Sequence, residues 1–145
     1  KVIEFNVRFG DPETQPVMLR LRSDLVDLIE AALAQRLDRV DADWDPRASL
    51  AVVMAAAGYP GTPRGDDVIA GLDAHEDDSL RVFHAGTRLD PEGKVRTAGG
   101  RVLAVAALGE DVAAARERAY ARVDAIHWDG EFHRRDIAWR ALRRS

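Results

Sequence analysis

The feature that most constrains the fold of this chain is a segment of alternating apolar and polar residues, 3–9, that runs directly into a polar turn. Residues two apart in an extended strand share a face. The apolar side chains of this segment are therefore expected to point into a core; they are Ile3, Phe5, Val7 and Phe9. The opposite face presents Glu4, Asn6 and Arg8. Gly10 permits unusual backbone angles and Pro12 fixes its own φ, so a turn is predicted directly after the strand.

The polar face of this predicted strand combines a carboxylate, a carboxamide oxygen and a guanidinium. Mg²⁺ takes oxygen ligands and also keeps waters or substrate phosphates, and arginine binds planar or tetrahedral oxyanions. The face therefore has the donor set of a small site for a hard cation and a phosphate. A strand edge that faces solvent is the alternative, and spacing alone favours it. Arg8 has a similar alternative, as a surface residue paired with Asp11 or Glu13.

Composition excludes several classes of function. The net charge of −4 argues against non-specific nucleic-acid binding, which needs a basic face. The chain has no cysteine, so a disulfide framework and cysteine-ligated zinc are excluded, and a reducing, cytoplasmic setting fits. No apolar run approaches the ~20 residues of a membrane span. None of the histidines forms a helical i, i+4 pair, so no zinc site is predicted.

The rest of the chain predicts an α+β fold with a mostly antiparallel sheet. The 3.6-residue apolar period predicts a helix over residues 24–37, capped by Ser23. A nearly continuous apolar run, residues 49–57, predicts a strand buried on both faces. Residues 58–67 are rich in Gly and Pro and predict a loop. Residues 81–85 predict another strand.

The C-terminal part is predicted as a hairpin, a long helix and a short helical tail. Residues 94–97 and 101–108 are the two strands of the hairpin. Asp111 is expected to cap the helix, and residues 134–142 form the tail. The residues expected to share one core are Val52, Val53, Val102, Leu103, Val105, Val123 and Ile126.

Five short motifs together resemble those of the glycinamide ribonucleotide synthetases, the phosphoribosylamine–glycine ligases. They are RFGDPET at residues 8–14, GYPG at 58–61, VFHAGT at 82–87, GGRVL at 99–103 and RRDIAWR at 134–140. The first is close to diagnostic for the family. Ala57 and Ala138 stand where family members often have glycine; as small-for-small changes they are not expected to disturb a site.

The resemblance covers nearly the whole of this chain but only the end of the enzyme, which is roughly three times as long. It implies the end of an ATP-grasp domain followed by a small C-terminal α+β domain. The expected divisions are residues 1–22 for the last strand and turn of the ATP-grasp domain, 23–46 for a helix and linker, and 47–145 for the C-terminal domain. Because the chain begins with Lys1 inside a predicted strand, we expect a C-terminal fragment whose partner is the missing N-terminal part of the same enzyme.

The function that the resemblance implies is ATP-dependent ligation of glycine to 5-phosphoribosylamine in purine biosynthesis. ATP phosphorylates the glycine carboxylate, the amine attacks the glycyl phosphate, and glycinamide ribonucleotide, ADP and phosphate are released. The cofactor would be Mg²⁺ or Mn²⁺, with no nucleic-acid or membrane partner. One alternative is another ATP-grasp ligase of purine biosynthesis. Another is a non-catalytic packing module, since this chain alone lacks the ATP-grasp lysines and is expected to be inactive.

The site residues implied by the resemblance fall into three groups. Glu4 and Asn6 are the expected metal ligands, and Arg8 is the expected catalytic residue, holding the γ-phosphate or acyl phosphate. The expected substrate-binding residues are Asp11, Glu13, Thr14, Arg134 and Arg135. Simple turn chemistry remains the alternative for residues 11–14, and a solvated helix face remains the alternative for the two arginines, which are otherwise expected to reach substrate phosphate or to fasten the tail to the ATP-grasp body.

Overall fold

A computed structural model of the protein describes residues 1–3, 5, 7–73 and 77–143. In that part of the chain the helices are α1 (Thr14–Arg20), α2 (Leu25–Leu33), α3 (Val112–Val123) and α4 (Trp139–Leu142), with a 3-10 turn at Leu37–Arg39. The strands are β1 (Ala48–Ala55), β2 (Leu80–His84), β3 (Thr87–Leu89), β4 (Val95–Thr97), β5 (Arg101–Gly109) and β6 (Phe132–His133). All the pairs between these strands are antiparallel. The predicted α+β class with a mostly antiparallel sheet is therefore confirmed.

The main sheet of the described residues has the strand order β2-β5-β1-β6, and β5 and β1 form its centre. Their register sets Val52 opposite Val105 and Met54 opposite Leu103. Both strands are predicted by their apolar runs, and β2 is predicted as well. The short strand β6 was not predicted, because two residues carry no readable alternation.

The predicted hairpin between residues 94–97 and 101–108 is wrong. The strand β4 pairs with β3 instead, while β5 pairs with β1 and β2. The reason is a local turn: the Asp90 carboxylate accepts hydrogen bonds from the backbone N–H groups of Glu92 and Lys94, each at 2.9 Å. Gly93, at φ 79°, takes a left-handed conformation in this turn. The turn closes β3 onto β4 and leaves β5 free for long-range pairing.

Helix α3 covers one face of the main sheet and completes the core. The Asp111 side chain accepts from the Ala114 N–H at 2.8 Å, so the predicted cap is confirmed. Ala115, Ala119 and Val123 of α3 are buried against the sheet, together with Ile126 beyond its end. Small alanine side chains let a helix approach a sheet closely, and this explains why alanines occupy the face of α3 that contacts the sheet.

Val53 does not belong to this core, contrary to the prediction, because successive strand residues point to opposite faces. Val52 and Met54 are in the core cluster, whereas Val53 is only partly buried on the other side of the sheet. Helix α1 contacts β1 and β5. This helix was not predicted, because its start lies inside the expected turn and Pro16 follows in its first turn, where proline is tolerated.

Helix α2 differs from its prediction at both ends. Asp24, rather than Ser23, is the cap: its carboxylate accepts from the Val26 N–H at 2.7 Å. The Ser23 hydroxyl accepts instead from the Asp43 N–H at 2.7 Å. The helix ends at Leu33, not at residue 37. Gln35 has a φ of 53°, which is incompatible with a right-handed helix. No helix in the described residues is both long enough and apolar enough for a membrane span.

The N-terminal residues that the structure describes, 1–3, 5 and 7–9, form no strand. The side chains expected in a core are exposed; they are Ile3, Phe5, Val7 and Phe9. A single strand leaves its backbone groups unpaired unless neighbouring strands accept them. Glu4 and Asn6 lie outside the described residues.

The predicted helical tail over residues 134–142 is reduced to its last turn, α4. Before it, the Arg134 side chain donates to the Asp136 carboxylate at 2.9 and 2.8 Å. Ala138 precedes α4 with a φ of 66°, in the left-handed region. An alanine there carries a strain that glycine would not, so the exchange of glycine for alanine has a backbone cost that side-chain size does not indicate.

Candidate functional site

A cleft of about 470 Å³ lies on the sheet face opposite α3. Its apolar floor is formed by alternate residues of β1, Ala51, Val53 and Ala55. Its walls come from four of the five sequence motifs; the wall residues are Pro12, Tyr59, Pro60, Arg101, Arg134 and Ile137. We call it the motif cleft. Segments more than 100 residues apart in the sequence thus converge on one cavity.

Glycines of the motifs bring these walls together. A Cβ on Gly100 would lie 2.4 Å from Cδ2 of Tyr59, so only glycine lets the tyrosine ring pack there. A Cβ on Gly86 would lie 2.8 Å from both the Arg101 carbonyl oxygen and the Gly99 Cα. The motif that contains Gly86 does not line the cleft but holds the start of β5, and therefore Arg101, in place.

The RFGDPET turn meets the cleft through Asp11 and Pro12. The Asp11 carboxylate forms an ion pair with the Arg101 guanidinium at 2.8 Å. Within the turn, the Thr14 hydroxyl donates to the Gly10 carbonyl at 2.6 Å. The Thr14 hydroxyl is therefore already engaged with backbone, as the simple-turn alternative expects.

The remaining predicted residues of the turn line a second cavity. This groove, about 430 Å³, lies between α1 and α2 and is mainly apolar. All its lining residues belong to residues 1–44, which we call the arm, and we therefore call it the arm groove. Arg8, Glu13 and Thr14 are its charged or hydroxyl-bearing lining residues. The structure therefore separates the two carboxylates of the turn: Asp11 is paired with Arg101 of the motif cleft, and Glu13 lines the arm groove.

The two adjacent arginines of the RRDIAWR motif are also separated. Arg134 lines the motif cleft, and its pairing with Asp136 lowers the pKa of that carboxyl group. Arg135 points elsewhere, with its guanidinium 3.7 Å from the Asp124 carboxylate beyond the end of α3. The structure places the first, but not the second, in the cleft that Arg101 also lines.

Helix α3 holds the backbone of this cleft wall. The Tyr120 hydroxyl donates to the Arg134 carbonyl. The Arg116 guanidinium donates to the carbonyls of Arg135 and Ile137 at 2.7 and 3.0 Å. The loop opposite is secured in a similar way, since Arg64 donates to Asp67 and Asp129. The cleft thus has walls fixed by long-range hydrogen bonds.

A family model described as phosphoribosylglycinamide synthetase, C domain, matches residues 49–140. The chain belongs to this family. The resemblance seen in the motifs is therefore confirmed, and the match begins and ends close to the limits of the main sheet and α4.

Individual relatives agree with this assignment. The chain is 63% identical over 144 residues to a phosphoribosylamine–glycine ligase of Xanthomonas axonopodis, which covers 99% of this chain and 33% of that protein. It is 60% identical to the enzyme of the same name from Escherichia coli K12, covering 34% of it. A crystal structure of phosphoribosylamine–glycine ligase from Thermotoga maritima matches 93% of this chain with a TM-score of 0.77 at 31% identity, and 32% of that chain is covered. The chain therefore spans about a third of the length of these relatives.

Three polar residues of the motif cleft were not predicted as site residues: Tyr59, Arg101 and His133. Tyr59 and Arg101 belong to the GYPG and GGRVL motifs. The glycines beside them were the sequence signal that could have indicated a site. The His133 side chain is buried, with Nδ1 3.4 Å from a Glu131 carboxylate oxygen. Only strand β6, which the sequence does not reveal, carries this histidine to the cleft.

The metal prediction is not tested by these contacts, because Glu4 and Asn6 lie outside the described residues. Within residues 1–3, 5, 7–73 and 77–143, no cluster of three or more His, Asp or Glu side chains has the geometry to hold a metal ion. Arg8, the next polar residue of the same predicted face, donates from Nη1 to the Phe9 carbonyl at 3.1 Å.

Proposed function

We propose that this chain is the C-terminal part of a phosphoribosylamine–glycine ligase and that the motif cleft forms one wall of its substrate site. The observation that carries the proposal is the convergence of four separate motifs on a single cleft in a chain 63% identical to enzymes of that name. In the complete enzyme, an ATP-grasp domain would lie against the arm. A cytoplasmic setting fits this role.

The proposed reaction solves a problem of reactivity. A free carboxylate is a poor electrophile, so ATP first transfers its γ-phosphoryl group to a carboxylate oxygen of glycine. The amine of 5-phosphoribosylamine then attacks the carbonyl carbon, the C–O bond to phosphate breaks, and the amine loses a proton. The products are glycinamide ribonucleotide, ADP and phosphate.

The residues of the two cavities fit different parts of this reaction. Arg134 offers a guanidinium in a cleft with an apolar floor, which suits a phosphate carried by a larger substrate. Arg8 and Glu13 both line the arm groove, where a cation suits an acyl phosphate and a carboxylate suits an amine. Mg²⁺ or Mn²⁺, bound by Glu4 and Asn6, would supply charge stabilisation during phosphoryl transfer.

The substrate assignment is tested in the complete enzyme that contains this chain. We expect one of two results. Either ADP forms only when both glycine and 5-phosphoribosylamine are present, or the enzyme catalyses a phosphate exchange that depends on glycine. Efficient replacement of glycine by formate or bicarbonate would favour another ATP-grasp ligase of the same pathway. Absence of any ligase activity would favour the packing module.

The adjacent arginines provide a matched pair for the cleft. Arg134→Met is expected to raise the KM for 5-phosphoribosylamine about tenfold or more, because a hydrogen bond to a charged group is worth ~1.5–3 kcal/mol. Arg135→Met removes the same charge one residue away but outside the cleft, and is expected to leave that KM nearly unchanged. If the two variants raise this KM equally, Arg134 does not bind the substrate.

A further inference from the structure

The ion pair between Asp11 and Arg101 joins the RFGDPET turn to the main sheet. The two residues are 90 positions apart in the sequence, and Asp11 Oδ2 lies 2.8 Å from an Arg101 terminal nitrogen. The Gln15 carboxamide approaches the other Asp11 oxygen at 3.4 Å from the first turn of α1. Asp11 is therefore held between α1 and the first residue of β5.

Arg101 sits on backbone that is itself well fixed. The Gly86 N–H donates to the Arg101 carbonyl at 2.9 Å, and the Ala56 N–H donates to the preceding carbonyl, that of Gly100, also at 2.9 Å. The register of β1 against β5 shifts between Met54 and Ala55, where Ala55 pairs with Arg101. Such irregularities re-aim side chains near functional sites.

We propose that Arg101 is a positioning residue: through Asp11 it sets the placement of the RFGDPET turn, and with it Arg8 and Glu13, against the body of the protein. The inference rests on the proposed function of the turn. It makes Asp11 an anchor rather than the group that meets a substrate amine. Of the two turn carboxylates, Glu13 then remains for the amine, since it lines the arm groove with Arg8.

The first test is steady-state kinetics of the complete enzyme with Arg101→Met. Displacement of a reacting group by about an ångström costs up to ~100-fold in rate. We expect kcat to fall about 10- to 100-fold while the KM for each substrate changes less than about threefold, because a residue that acts only on geometry removes no substrate contact. Arg101→Lys, which keeps a cation, is expected to recover part of kcat. A large rise in one KM would instead make Arg101 a substrate ligand and overturn the proposal.

Arg88→Met is the matched control. Arg88 pairs with Asp66 and its side chain is 44% exposed, against 43% for Arg101, but it does not line either cavity. Its loss is expected to leave kcat and KM unchanged. A fall in kcat equal to that of Arg101→Met would show a general effect of removing surface charge and would overturn the positioning role.

A double-mutant cycle then tests whether Arg101 acts through Asp11. Asp11→Asn and Arg101→Met are expected to be non-additive, so that the double variant is no slower than about the worse single one. Multiplicative losses would mean that Asp11 and Arg101 act separately, and the anchor would be excluded.

Amide hydrogen exchange on the 145-residue chain separates this inference from the proposed function. Arg101→Met is expected to accelerate exchange at Thr14 and Val17, whose N–H groups donate to the Gly10 and Glu13 carbonyls, while Arg88→Met does not. Unchanged exchange at both amides would overturn the positioning role even if the complete enzyme is an active ligase. Faster exchange in the chain, together with no ligase activity in the complete enzyme, would retain the anchor and refute the proposed function.

Discussion

The arm, residues 1–44, and the body, residues 45–143, have similar apolar side chains but differ in how far they bury them. In the body, Met54 and Val105 are fully buried. In the arm, Ile3 and Val7 are 97% and 94% exposed. Apolar residues create a core only where a second layer covers them; α3 covers the body sheet, and nothing in the described residues covers the side chains of Ile3 and Val7. The difference shows that apolar content alone does not predict burial.

The junction between the two regions is specific. Helix α1 contacts the central strands of the body. The Asp45 backbone N–H donates to the Arg20 carbonyl at 2.7 Å, and the Arg20 guanidinium donates back to the Asp45 carbonyl at 2.9 Å. The buried Asp45 carboxylate pairs with Arg22 at 3.1 Å and with Arg47 at 2.7 Å. The arm is therefore divided into an anchored part, near α1 and Asp45, and an exposed part at its beginning.

Hydrogen exchange of the isolated chain is expected to show the largest contrast. Body amides such as those of Val52 and Val105 open only on global unfolding, so their protection is expected to reach at least ~1,000-fold, as for domains of ordinary stability. The amides of residues 1–9 are expected to exchange nearly unprotected. The isolated chain is also not expected to bind ATP tightly. Strong protection of Val2 to Arg8, or micromolar ATP binding, would break the comparison.

The beginning of the arm is expected to carry chemistry rather than stability. In the complete enzyme, Glu4→Gln or Asn6→Leu is expected to lower kcat about a hundredfold, or ~3 kcal/mol, by removing a metal contact to the transferring phosphoryl group. The thermal midpoint is expected to stay unchanged, and Glu30→Gln on exposed α2 serves as the control. Normal rates for both variants at limiting Mg²⁺ would contradict the metal assignment.

Two leucines compare the regions by stability. Leu103 in β5 is 1% exposed and Leu33 at the end of α2 is 81% exposed. Leu103→Ala is expected to reduce the free energy of unfolding by ~2–5 kcal/mol through lost burial and a residual cavity, and Leu33→Ala by less than ~0.5 kcal/mol. Denaturant titration of the isolated chain measures both. Similar losses would mean that the arm has a core of its own.

The junction is expected to be sensitive to acid. Hydrogen bonds from the Arg47 side chain and backbone hold the Asp45 pKa well below its usual range. A carboxyl group with a depressed folded-state pKa contributes stability above its unfolded pKa, ~3.9, and loses it as pH falls toward the folded value. Asp45→Asn is therefore expected to destabilise the chain at pH 7, with a difference from wild type that shrinks below about pH 4. The exposed neighbour Asp43, changed to Asn, is the control; a pH-independent difference would assign the effect to packing.

The smallest expected effect is at the C-terminal end of the body. Ala138→Gly relieves the left-handed strain at φ 66°, worth ~1–2 kcal/mol, against ~0.5–1 kcal/mol of added chain entropy. A net stabilisation of about 0.5 kcal/mol is expected. Ala113→Gly in α3 is expected to have the opposite sign, destabilising by ~1 kcal/mol. Destabilisation by both would show that Ala138 is not strained.

The sequence by itself determined the features that depend on near neighbours. The apolar runs of β1 and β5, the Asp111 cap of α3 and the loop at residues 58–67 were all readable, because burial period, capping and turn chemistry act over a few residues. The motifs were also sufficient to identify the family. Val53 shows the limit of such predictions: when both faces of a strand are apolar, the sequence does not indicate which face a given residue occupies.

Only the tertiary structure decided which distant segments meet. The pairing of β4 with β3, the packing of α1 on the body and the position of β6 depend on contacts between residues far apart, and no local pattern distinguishes among the possible partners. The site was divided in the same way. Adjacent Arg134 and Arg135 look equivalent in sequence, and so do Asp11 and Glu13, yet each pair is split between different surroundings because backbone direction at one residue depends on what packs against it.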